Sequence, residues 1–189
     1  MEIAAAQKEV RIAYHGGFAG QLVSAALWAA SAAAGTWGTT RSAILVLVLG
    51  GFLIFPLTTV LLRALGHRAA LSPDNSLNRL AVQVAFSLPL VLPVVGAAAL
   101  YRTVWFYPAF MVALGAHYLP FTFLYGMRLF AVLAGVLVAA GLGLGLYGPD
   151  SFTTGGWLTA LILLVAALAG RAAVVREKAA WPEHAADVC

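Results

Sequence analysis

His117, Gln21, Gln83, Ser24 and Ser87 are the residues with most chemistry to offer in this chain, because all five lie within long stretches that carry no charge. Such stretches read as membrane helices, and their depth follows from counting at about 1.5 Å per residue from the more basic end. Gln21 and Gln83 then lie roughly 6 to 9 Å deep, Ser24 and Ser87 roughly 12 to 14 Å, and His117 roughly 16 Å, with Tyr118 beside it. Pro56, Pro89, Pro93 and Pro120 fall at similar depth. Each removes a backbone donor and frees a carbonyl one turn earlier, at Phe52, Ala85, Pro89 and Ala116. Together these groups predict a polar cavity open to the cytoplasm, in which His117, Tyr118, Gln83, Ser87 and Gln21 hydrogen-bond a small molecule or an ion. Arg128 follows at the end of the same helix, so a ligand account seats an anionic or hydrogen-bonding group between it and His117. The same residues also have a plainer meaning: His117 as an interhelical hydrogen-bond partner worth about 1 kcal/mol, and Arg128 as an anchor at the membrane surface.

Much other chemistry loses its support. None of the seven carboxylates falls inside an uncharged stretch, which argues against carboxylate-coupled proton or sodium transport and against an intramembrane aspartyl protease. With lysines only at Lys8 and Lys178, no buried amine is offered for a Schiff base. There is no H-E-x-x-H, G-x-S-x-G or P-loop motif, and no catalytic residue emerges. The single cysteine, Cys189, excludes an internal disulfide and a multi-cysteine metal site, and it stands at the wrong position for prenylation. His15 at the interface and His117 about 16 Å deeper cannot face each other across one haem iron. His67 and His184 read as solvated. The cofactor is unknown. A redox subunit using a quinone or a single-ligand haem remains an alternative, as does an accessory or structural membrane subunit.

These residues must be positioned by an all-α, polytopic bundle. The chain has 189 residues, 62% hydrophobic and 10% charged, against roughly 25% charged in soluble domains. Six uncharged runs, each long enough to cross the hydrocarbon once, predict spans near 16–38, 42–63, 79–101, 104–124, 128–147 and 152–173. Residues 1–15 read as an interfacial helix and 175–189 as a cytoplasmic tail. With both ends inside, nine of the eleven basic residues lie on the cytoplasmic side and only Arg41 and Arg102 lie outside. The basic pI thus reflects membrane orientation and anionic lipid headgroups, with no nucleic acid implied. Ala30-Ser31-Ala32 resembles a signal-peptidase site, and cleavage there would leave five spans; the glutamates and glycines around the first run argue for its retention. Short connections make successive spans antiparallel neighbours, with no three-plus-three repeat. Ser72-Pro73-Asp74-Asn75 suits the start of the third span. Gly141 and Gly145 form a small-residue ridge for close helix packing, either within the bundle or between copies in a homo-oligomer, and Gly16, Gly20 and Ser24 form another. Trp37, Tyr101, Trp105, Tyr147 and Trp157 read as an interfacial aromatic belt.

The segment Phe106-Tyr107-Pro108-Ala109-Phe110-Met111, continued by Gly115-Ala116-His117-Tyr118-Leu119-Pro120-Phe121 and Leu124-Tyr125-Gly126-Met127-Arg128, resembles the signature of an uncharacterised family of small bacterial multi-pass membrane proteins. Ala13-Tyr14-His15-Gly16-Gly17 is also similar to that family, and the resemblance extends over residues 8–170. It implies a protein of the bacterial cytoplasmic (inner) membrane. It supplies no substrate, cofactor or catalytic residue.

Overall fold

A computed structural model describes residues 2–67 and 70–179 and contains helices, with no strand among the described residues. In chain order these are α1 (Ile3–Ala13), α2 (Phe18–Trp37), α3 (Thr40–Gly51), α4 (Ile54–Ala64), α5 (Asn78–Tyr101), α6 (Phe106–Tyr118), α7 (Phe121–Tyr125), α8 (Leu129–Tyr147) and α9 (Thr154–Ala179). Four stretches, His15–Trp37, Asn78–Tyr101, Leu129–Tyr147 and Thr154–Glu177, are long and apolar enough to cross a bilayer. α3 and α4 meet at a bend of 62° and give a fifth crossing if the pair counts as one broken span. The protein is therefore an all-α polytopic bundle with four or five such candidate spans. Arg68, His184 and Cys189 lie outside the described residues, as does most of the expected tail; α9 carries the chain through Ala179.

The expected span at 104–124 is divided. α6 has 13 residues, about 20 Å of rise against a hydrocarbon core of about 30 Å. Pro120 has no N–H to continue the ladder, so the chain restarts there as the five-residue α7. Gly126 ends α7 at φ 62°, a left-handed conformation that costs glycine little. Pro56 acts in the same way at the α3–α4 bend, standing in the first turn of α4, where its missing donor is harmless. Pro89 and Pro93 are instead carried inside a continuous α5.

Lipid tails are as apolar as leucine, so helices here associate through close backbone approach and polar contacts. α8 lies on α6, where a side-chain carbon added at Gly141 would sit 2.7 Å from the Pro108 carbonyl oxygen. Gly115 mirrors it at 2.8 Å from the Ala134 carbonyl oxygen. The Gly141 ridge is thus spent on packing inside the bundle. α2 is the central helix, packed on α9, α3 and α4. Its Ser31 Oγ donates to the Ala43 carbonyl on α3 at 2.8 Å, which leaves it to accept from the Tyr107 hydroxyl of α6 at 2.6 Å. α5 packs on α6 and on the turn between them, and on no other helix to comparable extent.

α1 is a strap across one end of the bundle. Gln7 Nε2 donates to the Phe123 carbonyl, which also accepts from the Gly126 N–H, and Arg11 Nη1 donates to the Tyr125 carbonyl, so α1 holds the end of α7 through two of its carbonyls. Arg11 also pairs with Glu177 of α9 at 3.0 Å. Glu9 accepts from the Ser72 backbone N–H, from the Ser72 hydroxyl and from Asn75 Nδ2. The segment before α5 is therefore tied to α1 rather than serving only to start a helix. At the opposite end Trp37, Tyr101 and Tyr147 are exposed, Trp105 and Trp157 less so, and Arg102 pairs with Asp150.

Two outcomes follow. Gly141→Ala should lower thermal stability in detergent by roughly 1 to 3 kcal/mol through overpacking, whereas Gly143→Ala, with no atom within 4 Å of the added carbon, should be neutral; equal effects at the two sites would refute the crossing. The Ser72 and Asn75 donors hold the Glu9 carboxyl below its ordinary value of 4.5. Its contribution is therefore complete above about pH 4.5 and is lost as pH falls through the lowered folded value. The protection of α1 amides against hydrogen exchange, taken relative to the unfolded-chain rate at each pH, should fall over that acid range in the native chain, and Glu9→Gln should remove this loss of protection.

Candidate functional site

One face of α2 presents Gln21, Ser24 and Trp28, spaced three or four residues apart and so stacked along a single stripe that Gly17 extends just before the helix. The stripe forms one wall of a cavity of about 310 Å³, whose other walls come from the α3–α4 bend, α5, α6 and α7. This volume is at the small end of ligand pockets, which span about 300 to 1,000 Å³. The cavity coincides with the proline breaks: Pro56 bends α4 away from α3, and Pro120 ends α6 directly beyond His117 and Tyr118. Its wall is predominantly apolar, which corrects the expectation of a polar vestibule. Among the described residues, no aspartate, glutamate, lysine or arginine lines it.

The polar groups in this wall are few. Gln21 is 2% exposed, and neither its amide nitrogen nor its amide oxygen has a hydrogen-bond partner among the described residues. The same holds for the Thr58 hydroxyl. Tyr118 is buried, with its hydroxyl toward Ser24 of the α2 stripe, and Tyr125 and Tyr14 complete that end of the cavity.

His117 is fixed from α5. The Ser87 hydroxyl lies 3.0 Å from His117 Nδ1 and 2.7 Å from the Val84 carbonyl. A serine hydroxyl has one proton, and here it goes to the Val84 carbonyl one turn back. Ser87 therefore accepts from Nδ1–H, and His117 Nε2 is left as an acceptor. The partner that His117 required from another helix is thus Ser87.

The residues expected from sequence divide into two groups. Gln21, His117 and Tyr118 line one cavity, and Ser87 orients His117. Gln83 and Arg128 do not belong to it: both are exposed and neither lines the cavity. At 100° per residue, Gln83 stands nearly opposite Ala85, Leu88, Pro89 and Leu92, the lining positions of α5. Arg128 is turned outward at the start of α8, which removes the expected seat for an anion between it and His117. Thr58 was not anticipated. Its nearest sequence signal is its place half a turn after Pro56, with Gly20 of α2 leaving room against it. His67, expected in solvent, instead lies with its ring 3.8 Å from that of His15. His15 itself adopts φ 50°, a region in which histidine is enriched among non-glycine residues.

The family of unknown function DUF7010 matches residues 3–172. No curated protein and no solved structure matches the chain.

An amide buried without partners in an apolar wall weakens the fold. Gln21→Leu should therefore raise thermal stability by roughly 1 to 3 kcal/mol in detergent-solubilised, lipid-stripped protein; a fall of that size would show that the amide makes a structural bond.

Proposed function

We propose that this chain, which belongs to the DUF7010 family of unknown function, is a membrane-embedded protein that binds a small molecule in the cavity between α2, α4, α5 and α6. The observation that carries this reading is Gln21. A buried amide with a free donor and a free acceptor is costly to keep, and a ligand that satisfies both turns that cost into recognition. His117, fixed by Ser87 with Nε2 left to accept, adds a second polar point, and Tyr118, Ser24 and Thr58 add hydroxyls. Binding, or binding as one step of passage across the membrane, fits a wall without carboxylates or buried amines better than bond-making chemistry does.

The same proposal places the chain in a bacterial cytoplasmic membrane with six crossings and both ends inside. The sixth crossing would be the divided segment of α6 and α7. Support comes from the basic residues at the α1 end, Arg11, Arg63, Arg79, Arg128, Arg171 and Arg176, and from the exposed aromatic side chains at the other. Anionic lipid headgroups are the partners this distribution selects.

The test is organic extraction and mass spectrometry of small molecules carried by the full-length protein purified in mild detergent. Wild type and Gln83→Leu should carry the same compound in near-equimolar amount, and Gln21→Leu should lose at least nine-tenths of it. Equal retention by Gln21→Leu and wild type would overturn the proposal.

A further inference from the structure

We infer that the ligand is a bilayer-soluble amphiphile with an uncharged head that both donates and accepts hydrogen bonds, and that it enters sideways between α4 and α5; this rests on reading the cavity as a ligand site. The entrance follows from which lining residues are exposed. Phe52 and Phe55, before and within α4, are 64% and 74% exposed while lining the cavity. Ala85 and Pro89 on α5 are exposed lining residues as well. Pro89 is the twelfth of the 24 residues of α5, so this mouth faces the middle of the bilayer rather than either aqueous surface. α4 and α5 form no packing interface comparable to the others, and α5 is held chiefly by α6. The 62° bend keeps α4 from closing along α5. Around the mouth, Leu90, Phe86 and Val60 are all more than half exposed, so the route in is apolar throughout.

The head group follows from the inner wall. With no charged side chain there among the described residues, an ammonium or a carboxylate would be desolvated without compensation, whereas a neutral polar head incurs no such penalty. Gln21 carries an unpartnered donor and acceptor together, and Thr58, which approaches α2 at Gly20, carries an unpartnered hydroxyl in the same wall. A hydroxyl or a hydroxyl–carbonyl head matches both, and a saturated hydrocarbon matches neither. The cavity volume of about 310 Å³ holds the head and the first part of the body, and the remainder lies in the α4–α5 gap.

Trp28 lines the same cavity two turns along α2 from Gln21 and reports occupancy through quenching by bromine, which acts only at short range. The full-length chain with Trp37, Trp105, Trp157 and Trp181 changed to phenylalanine, placed in phosphatidylcholine nanodiscs, is titrated with 2-bromododecan-1-ol, 2-bromododecane and (2-bromododecyl)trimethylammonium. The alcohol should quench saturably with half-saturation at least tenfold below that of the other two. Gln21→Leu should erase this preference, and Ala85→Phe at the mouth should slow the onset at least tenfold. Alcohol selectivity with an onset unchanged by Ala85→Phe would overturn sideways entry and leave the cavity site intact. Equal binding of the cation would overturn the neutral head group. If no probe quenches saturably and Gln21→Leu changes nothing, the cavity is not a ligand site, and both readings fail.

Discussion

The backbone contact of α8 with α6 at Gly141 and Gly115 is the constraint on which the rest of the arrangement depends. In a bilayer, apolar side chains gain nothing by leaving lipid for protein, so helices are held where backbones come close and where polar groups pair. Gly141 and Gly115 let α6 and α8 meet at the distance of a peptide carbonyl. The Ser31–Tyr107 pair then fixes α6 to α2 and α3. With α6 held on both sides, His117 and Tyr118 line the space between α2 and α5.

That space persists because the helices that would fill it are bent or unsupported. Pro56 turns α4 off the line of α3, Pro120 stops α6 at Tyr118, and α5 is attached mainly through α6, where Ser87 meets His117. The result is a tightly packed half built from α2, α6, α8 and α9, and a looser half in which α4 and α5 stand apart. The α1 strap joins the two, since Glu9 holds the segment leading into α5 while Gln7 and Arg11 hold α7 and α9. On the proposed reading, this division leaves the side entrance that a uniformly well-packed bundle would lack. Gln21 and Thr58 sit where the two halves meet.

Much of the helical architecture was legible from the charges and prolines, because both act locally. Uncharged runs delimit α2, α5 and α8 to within a few residues, whereas α9 continues past its run through Arg171 and Arg176, and the division of the span expected at 104–124 into α6 and α7 falls at Pro120. The site was legible only in part. Gln21, His117 and Tyr118 share a depth, which sequence gives, and a cavity, which it does not. Gln83 shares the depth of Gln21 but stands on the wrong side of α5, because rotation about a helix axis is set by neighbours rather than by position along it. Arg128 lies beyond the Gly126 turn at the start of α8, so it does not continue the helix that carries His117. The pairing of His15 with His67 and the cradle around Glu9 join residues more than fifty positions apart, and no local pattern announces them.

The most direct measurement is magic-angle-spinning NMR of the protein in native lipid extract, with ¹⁵N in the side-chain amides of its glutamines and the retained small molecules unlabelled. The chain holds only Gln7, Gln21 and Gln83, so the three amide signals can be assigned by single substitution. The account predicts that the Gln21 amide alone shows through-space transfer to protons of a non-protein molecule that survives lipid exchange. Transfer only to water or to other side chains of the protein would contradict it.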